Sequence, residues 1–219
     1  MDTTTYPVKS PAQLQKMTAT LTELYPHAKY ELDFTKPLEL LVATILAAQC
    51  TDERVNKVTK DLFQKYRSAQ DYATAELEAL EQDVRPTGFY RKKASTIRAA
   101  CQYLQEKHAG EVPRTMAEMV KIPGVARKTA SVVLGNAFGI VEGFIVDTHV
   151  ERLTKRFGWS EQSDAVKIEQ DLMRFVPRQD WLNLAHCMIL HGRNTCTAHK
   201  PACQRCPLAV CCPSALQEA

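Results

Sequence analysis

The 219-residue chain predicts an all-α protein made of many short helices packed at angles. Three observations carry this. Apolar residues recur at helical spacing through most of the chain. Residues that start and stop helices punctuate it at short intervals. Strand-like patterning is confined to Gly143-Phe144-Ile145-Val146, the one strand candidate, and it is short.

Taken in order, Ser10-Pro11 reads as an N-cap followed by proline in the first helical position, and Leu14, Met17, Leu21 and Leu24 then line one face until Pro26. Pro37 opens a second helix whose run Leu38 to Ala48 is apolar enough to be buried on most sides. Thr51 or Asp52 caps a third, with Val55, Val58, Leu62, Phe63 and Tyr66 facing inward. Further amphipathic segments follow at residues 75–84, 90–108, 115–122, 127–138, 148–157, 165–175 and 181–191. Pro86-Thr87-Gly88, Ala109-Gly110, Pro123-Gly124, Gly143 and Pro177 separate them.

Composition narrows the class without choosing a function. A formal charge of +3 permits nucleic-acid binding but requires any basic footprint to be local. No apolar window approaches the roughly 18–20 residues of a membrane span. Residues 1–6 carry no basic stretch followed by an apolar run, so a non-exported, cytoplasmic protein is expected.

The cysteines say more. Three are scattered, but Cys196, Cys203, Cys206, Cys211 and Cys212 crowd the last 24 residues. That clustering points to a metal or cluster site rather than a disulfide scaffold. Cys196, Cys203, Cys206 and Cys212 are separated by six, two and five residues. Zinc sites favour two close pairs, and only Cys203 and Cys206 form one here. The wider gaps suit the separate corners of an iron–sulfur cubane. From spacing alone Cys211 rivals Cys212 for the last position. The loop inside the first gap presents Lys200, with Arg193 and Arg205 nearby in sequence, as a device for contacting phosphates.

Ile122 to Ala130 reads IPGVARKTA between two helical patterns. Proline then glycine permits a tight turn, and the next helix begins with backbone N–H groups free to bind a phosphate. This is a helix-hairpin-helix signature, a sequence-independent binder of the DNA backbone. Lys128 falls in the first turn of that helix. The positive end of the helix dipole and Arg127 disfavour its charged form, which favours a nucleophilic amine. Asp147 follows the apolar stretch and precedes Thr148-His149-Val150. It can cap that helix, stabilise an oxocarbenium-like sugar, or do both. His149 reads as a structural hydrogen-bonder.

Residues 40–52 (LLVATILAAQCTD), 122–130, 146–153 (VDTHVERL) and 190–212 together resemble the endonuclease III family in order and spacing, over residues 10–213. The resemblance implies a two-domain helix-hairpin-helix DNA glycosylase fold with a DNA-binding cleft between the domains. Residues 30–140 would form a six-helix domain carrying the hairpin. Residues 1–29 and 141–219 would form the N/C-terminal helical domain with a [4Fe-4S] cluster loop. Lys128 matches the family's nucleophile and Asp147 its catalytic acid, with Cys196, Cys203, Cys206 and Cys212 as cluster ligands. Gln49 matches the residue that fills the space of the flipped base, and Gly88-Phe89-Tyr90 the loop that wedges into the opposite strand. Gly124 and Ala126 lie in the phosphate-binding hairpin, and the cluster Arg91-Lys92-Lys93 would add backbone contacts.

The implied activity is that of a bifunctional glycosylase and AP lyase. It would remove oxidised pyrimidines from double-stranded DNA through a lysine Schiff base and cut abasic sites by β-elimination, as a monomer at the bacterial nucleoid. Two positions depart from the family pattern: Ala126 stands where a second hairpin glycine is usual, and Phe89 replaces a smaller aliphatic wedge. An adenine-mismatch glycosylase is rejected, because its catalytic glutamate would stand where this chain has Ile45. A purely docking module is disfavoured by the presence of both Lys128 and Asp147.

Overall fold

The computed structural model describes residues 10–217; the residues behind the expectation of no export leader lie outside that range. Among the described residues no strand forms, and none of the helices is long and apolar enough to cross a membrane. The strand candidate fails for a physical reason. Phe144 and Ile145 are buried, but an extended segment needs a paired neighbour, and everything around it is helical.

The described chain divides into two compact units, one of residues 31–142 and one of residues up to 30 together with those from 143 onward. The first holds α2 (Pro37–Leu46), α3 (Asp52–Lys65), α4 (Ala69–Thr74), α5 (Leu77–Val84), α6 (Tyr90–His108), α7 (Met116–Met119) and α8 (Arg127–Phe138). Helix α2 is apolar on nearly every face because it is the centre of this unit: Leu40, Leu41, Val42, Ala43 and Leu46 are all buried, against α8, α3 and α6. Helix α6 supports α4 and α5 through Ala94, Ile97, Ala100 and Leu104. The separate α4 has a signal in the sequence: Ser68 accepts from Asp71 N, and the Asp71 carboxylate accepts from Ser68 N, a reciprocal capping box.

The second unit holds α1 (Pro11–Leu24), α9 (Thr148–Arg156), α10 (Ala165–Phe175), α11 (Trp181–Asn194) and α12 (Pro213–Gln217). Ser10 caps α1 as the Ser-Pro pair requires. Helix α11 lies against α1 and α9 and contributes Leu184, Ala185, Cys187 and Met188 to a core that also buries Trp159 and Phe157.

One core group makes this unit acid-sensitive. His186 is only 5% exposed, and burial lowers its pKa from 6.5 to about 4. Below pH 6.5 the unfolded chain takes up a proton that the folded one refuses, so stability falls with pH through the window from 6.5 to about 4. The loss reaches about 2 kcal/mol by pH 5. Urea midpoints at pH 7 and pH 5 should therefore differ less in His186→Gln than in the native chain.

Candidate active site

The hairpin is built by two buried side chains and one glycine. Ile122 and Val125 are anchored in the core, and Val125 N donates to Ile122 O at 3.0 Å, closing the turn. Gly124 lies between them at φ 78°, and a Cβ there would run into the Thr96 methyl of α6. Only glycine fits on both counts. Gly124→Ala should cost at least about 1–3 kcal/mol of stability, measurable by thermal unfolding.

Ala126 is different. At φ −85° and ψ 168° its backbone is extended, a conformation open to any residue, and its methyl group is exposed. The alanine therefore leaves the turn itself undisturbed. As N-cap of α8 it offers no side chain to the first-turn amides, which remain open to an external acceptor. Lys128 stands in that first turn, exposed, and among the described residues its ammonium group has no hydrogen bond or ion pair.

In the other unit Asp147 is the N-cap of α9. Its Oδ1 accepts from His149 N at 2.9 Å and from Val150 N at 2.8 Å. One carboxylate oxygen thus fixes the side chain, and Oδ2 has no partner among the described residues. His149 Nδ1 lies 3.1 Å from Arg152 Nη2, an orienting contact.

Two further loops stand out by their backbone. Gln49 has φ 54° and is exposed in the turn between α2 and α3; Phe89, at φ 47° after Gly88 at φ 72°, is 66% exposed. Left-handed backbone at non-glycine residues is uncommon and marks segments whose surroundings impose the geometry. Behind Phe89, the Tyr90 ring is flanked by the Arg85 and Arg91 guanidinium groups at 5.7 and 5.5 Å. Arg91 also approaches Glu81 at 3.8 Å, while Lys92 is exposed.

Lys93 departs from the expected basic cluster. It is buried, and Nζ donates to Leu46 O and Thr87 O, both at 2.7 Å. The fourth position of a helix that starts at Tyr90 points inward, so this charge is unavailable to a phosphate.

The cysteine loop follows α11. Cys196 N donates to His191 O, and Cys206 and Cys212 each close a short 3-10 turn with nearly the same backbone, φ −83° and ψ 120° against φ −85° and ψ 118°. Cys212 Sγ lies 3.6 Å from Arg156 O, and the guanidinium of Arg156 reaches the Cys196 sulfur at 3.1 Å. Cys211 differs: its Sγ turns to Leu208 O in its own turn, and its carbonyl accepts from Gln13 Nε2. Among the described residues no three His, Cys, Asp or Glu side chains converge on the spacing of a single metal ion. Four cysteine thiolates are the donor set of an iron–sulfur cubane, and Cys196, Cys203, Cys206 and Cys212 fit that group.

Two arginines missed in the sequence hold this loop. Arg152 donates to Gly192 O at 2.8 Å and Cys196 O at 3.1 Å; Arg156 donates to Thr197 O at 2.7 Å, Ala198 O at 3.0 Å and the Cys196 sulfur at 3.1 Å. Their four-residue spacing on α9 was the available signal, since it puts both on one helix face. His191 Nε2 lies 3.5 Å from Cys206 Sγ, and burial lowers its pKa to about 4. Lys200 is exposed, and its carbonyl is held by the Thr197 hydroxyl.

This fold and hairpin define a class. Residues 42–178 match the family model of the HhH-GPD superfamily base excision DNA repair proteins. The chain is 52% identical over 195 residues to the endonuclease III of Synechocystis sp., covering 89% of each. It is 49% identical over 191 residues to that of Bacillus subtilis, covering 87% of each. A solved structure of a trapped endonuclease III–DNA covalent intermediate superposes with a TM-score of 0.91 at 44% identity, over 95% of this chain and 98% of that one. The chain belongs to the endonuclease III family and is a base excision repair DNA glycosylase and lyase.

Proposed function

We propose that the chain removes oxidised pyrimidines from duplex DNA and then cuts the strand 3′ to the abasic site, with Lys128 as nucleophile and Asp147 as its carboxylate partner. The observation that carries this is the Lys128 amine, exposed and unpaired beside first-turn amides that no side chain caps. A phosphate docked on those amides would bring the adjoining sugar to the amine. Because C1′ is out of reach in the stacked duplex, the damaged nucleotide must be extruded.

The lone pair of Lys128 Nζ then attacks C1′, and the electrons of the glycosidic bond leave with the base. The Asp147 carboxylate steadies the positive charge developing on the sugar and accepts a proton from the attacking amine. Ring opening produces the Schiff base. Loss of a C2′ proton expels the 3′ phosphate, and water releases the lysine. Gln49 fills the vacated position and Phe89 wedges the opposite strand. The hairpin around Gly124 and Ala126, with Tyr90, Arg91, Lys92 and Lys200, supplies sequence-independent backbone contacts.

Cys196, Cys203, Cys206 and Cys212 would hold a [4Fe-4S] cluster, with Arg156 placing a cation on the Cys196 sulfur. When bound, the cluster cross-links a loop that has little core of its own and so fixes the Lys200 segment. We place the protein in the cytoplasm, at the nucleoid, as a monomer.

Borohydride reduction tests the reading. The native chain should form a covalent complex with a duplex carrying one oxidised pyrimidine or one abasic site. No trapped complex on either duplex would overturn it.

A further inference from the structure

We infer that Lys93 is a positioning residue that locks the Gln49 and Phe89 loops into one rigid unit, so that both enter the duplex together. The inference rests on the roles just proposed for those two side chains.

The carbonyls that Lys93 Nζ holds belong to segments far apart in the chain. Leu46 O is at the C-terminal end of α2, three residues before Gln49; Thr87 O is two residues before Phe89. One ammonium group therefore ties the two exposed left-handed residues of this unit's probing loops, each through a short, stiff connection. Thr87 is itself fixed, because its hydroxyl donates to Val84 O at 2.8 Å. The α2 carbonyl end also carries the negative pole of the helix dipole, which favours a cation there.

Burying a charge is a costly way to cap two carbonyls, and burial does pull this lysine below the ordinary lysine pKa. Water or a glycine turn would satisfy either carbonyl alone. What the ammonium adds is a fixed separation between two turns. Filling a vacated base position on one strand while wedging the other demands such a separation, since the two sites sit a set distance apart in the duplex. Misplacement by about 1 Å can cost roughly 10²-fold in rate.

The test is Lys93→Met, which keeps the apolar stem and removes the ammonium. Single-turnover excision is measured on two substrates, an oxidised pyrimidine in a paired duplex and the same lesion in an unpaired bubble. The expected result is a loss of roughly tenfold to 10²-fold on the paired lesion, a loss within about threefold on the bubble, and undamaged-duplex affinity within about twofold. An equal loss on both substrates, or none, would overturn the inference.

Should the variant melt too early to assay, Gln49→Ala, Phe89→Ala and the double variant replace it. Loops that act as one unit give a combined loss well below the product of the single losses; a multiplicative result refutes the coupling. The native chain is run alongside on a preformed abasic site. Its failure to trap there removes the proposed chemistry, whereas trapping with an unchanged paired-to-bubble ratio removes only the role of Lys93.

Discussion

Lys128→Ala should abolish the borohydride-trapped complex and lower single-turnover cleavage of an oxidised-pyrimidine duplex by roughly 10³-fold or more, the scale of losing an activated nucleophile. Binding should change little by comparison. Lys128 has no intramolecular partner among the described residues, so its removal leaves no buried group unsatisfied and no packing defect. The informative companion is Asp147→Asn. Asparagine caps a helix as well as aspartate does, so the two bonds to His149 N and Val150 N can be kept while the charge goes. Thermal stability should then hold within about 0.5 kcal/mol while excision falls by roughly 10²- to 10⁴-fold. Trapping that persists undiminished in Lys128→Ala would assign the nucleophile elsewhere. Native rates in Asp147→Asn would reduce Asp147 to a cap.

The second large effect concerns the adjacent cysteines. The native protein should be brown and carry iron; Cys212→Ser should lose both, and Cys211→Ser should keep both. The reason is orientation. The Cys212 sulfur turns to Arg156 O, and the guanidinium of that same arginine reaches the Cys196 sulfur, whereas Cys211 directs its sulfur to the Leu208 carbonyl. Iron and acid-labile sulfide per chain decide between them. Because binding of such a group is coupled to folding of its loop, Cys212→Ser should also melt earlier and bind duplex DNA more weakly through the Lys200 segment. Iron loss in Cys211→Ser with retention in Cys212→Ser would reverse the assignment.

Much of this molecule is written locally. Ser10-Pro11, Thr51, Asp147 and Asp164 are helix starts because each cap is satisfied within three residues of itself. The run Leu38 to Ala48 announces a buried helix by having no polar face. The positive φ at Gly124 was likewise readable from its proline–glycine turn. The placement of Lys128 in the first turn of the helix after the hairpin is legible for the same reason.

Other features depend on partners far along the chain. Nothing in Arg91-Lys92-Lys93 distinguishes the third residue, yet only Lys93 meets a carbonyl 47 positions away, and that contact alone makes it a buried tie rather than a surface charge. Arg152 and Arg156 read as an ordinary basic face until the cysteine loop, more than 35 residues on, folds back onto them. Cys211 and Cys212 are neighbours of the same chemistry, and the preceding 3-10 turn sends their sulfurs to different partners.

The sequence by itself determined most of the helices, several of their caps, the hairpin turn and the family, since each depends on residues within a turn or two of one another. The tertiary structure alone decided which like-charged or like-reactive neighbour turns inward, because burial is set by contacts between segments that the local pattern cannot bring together.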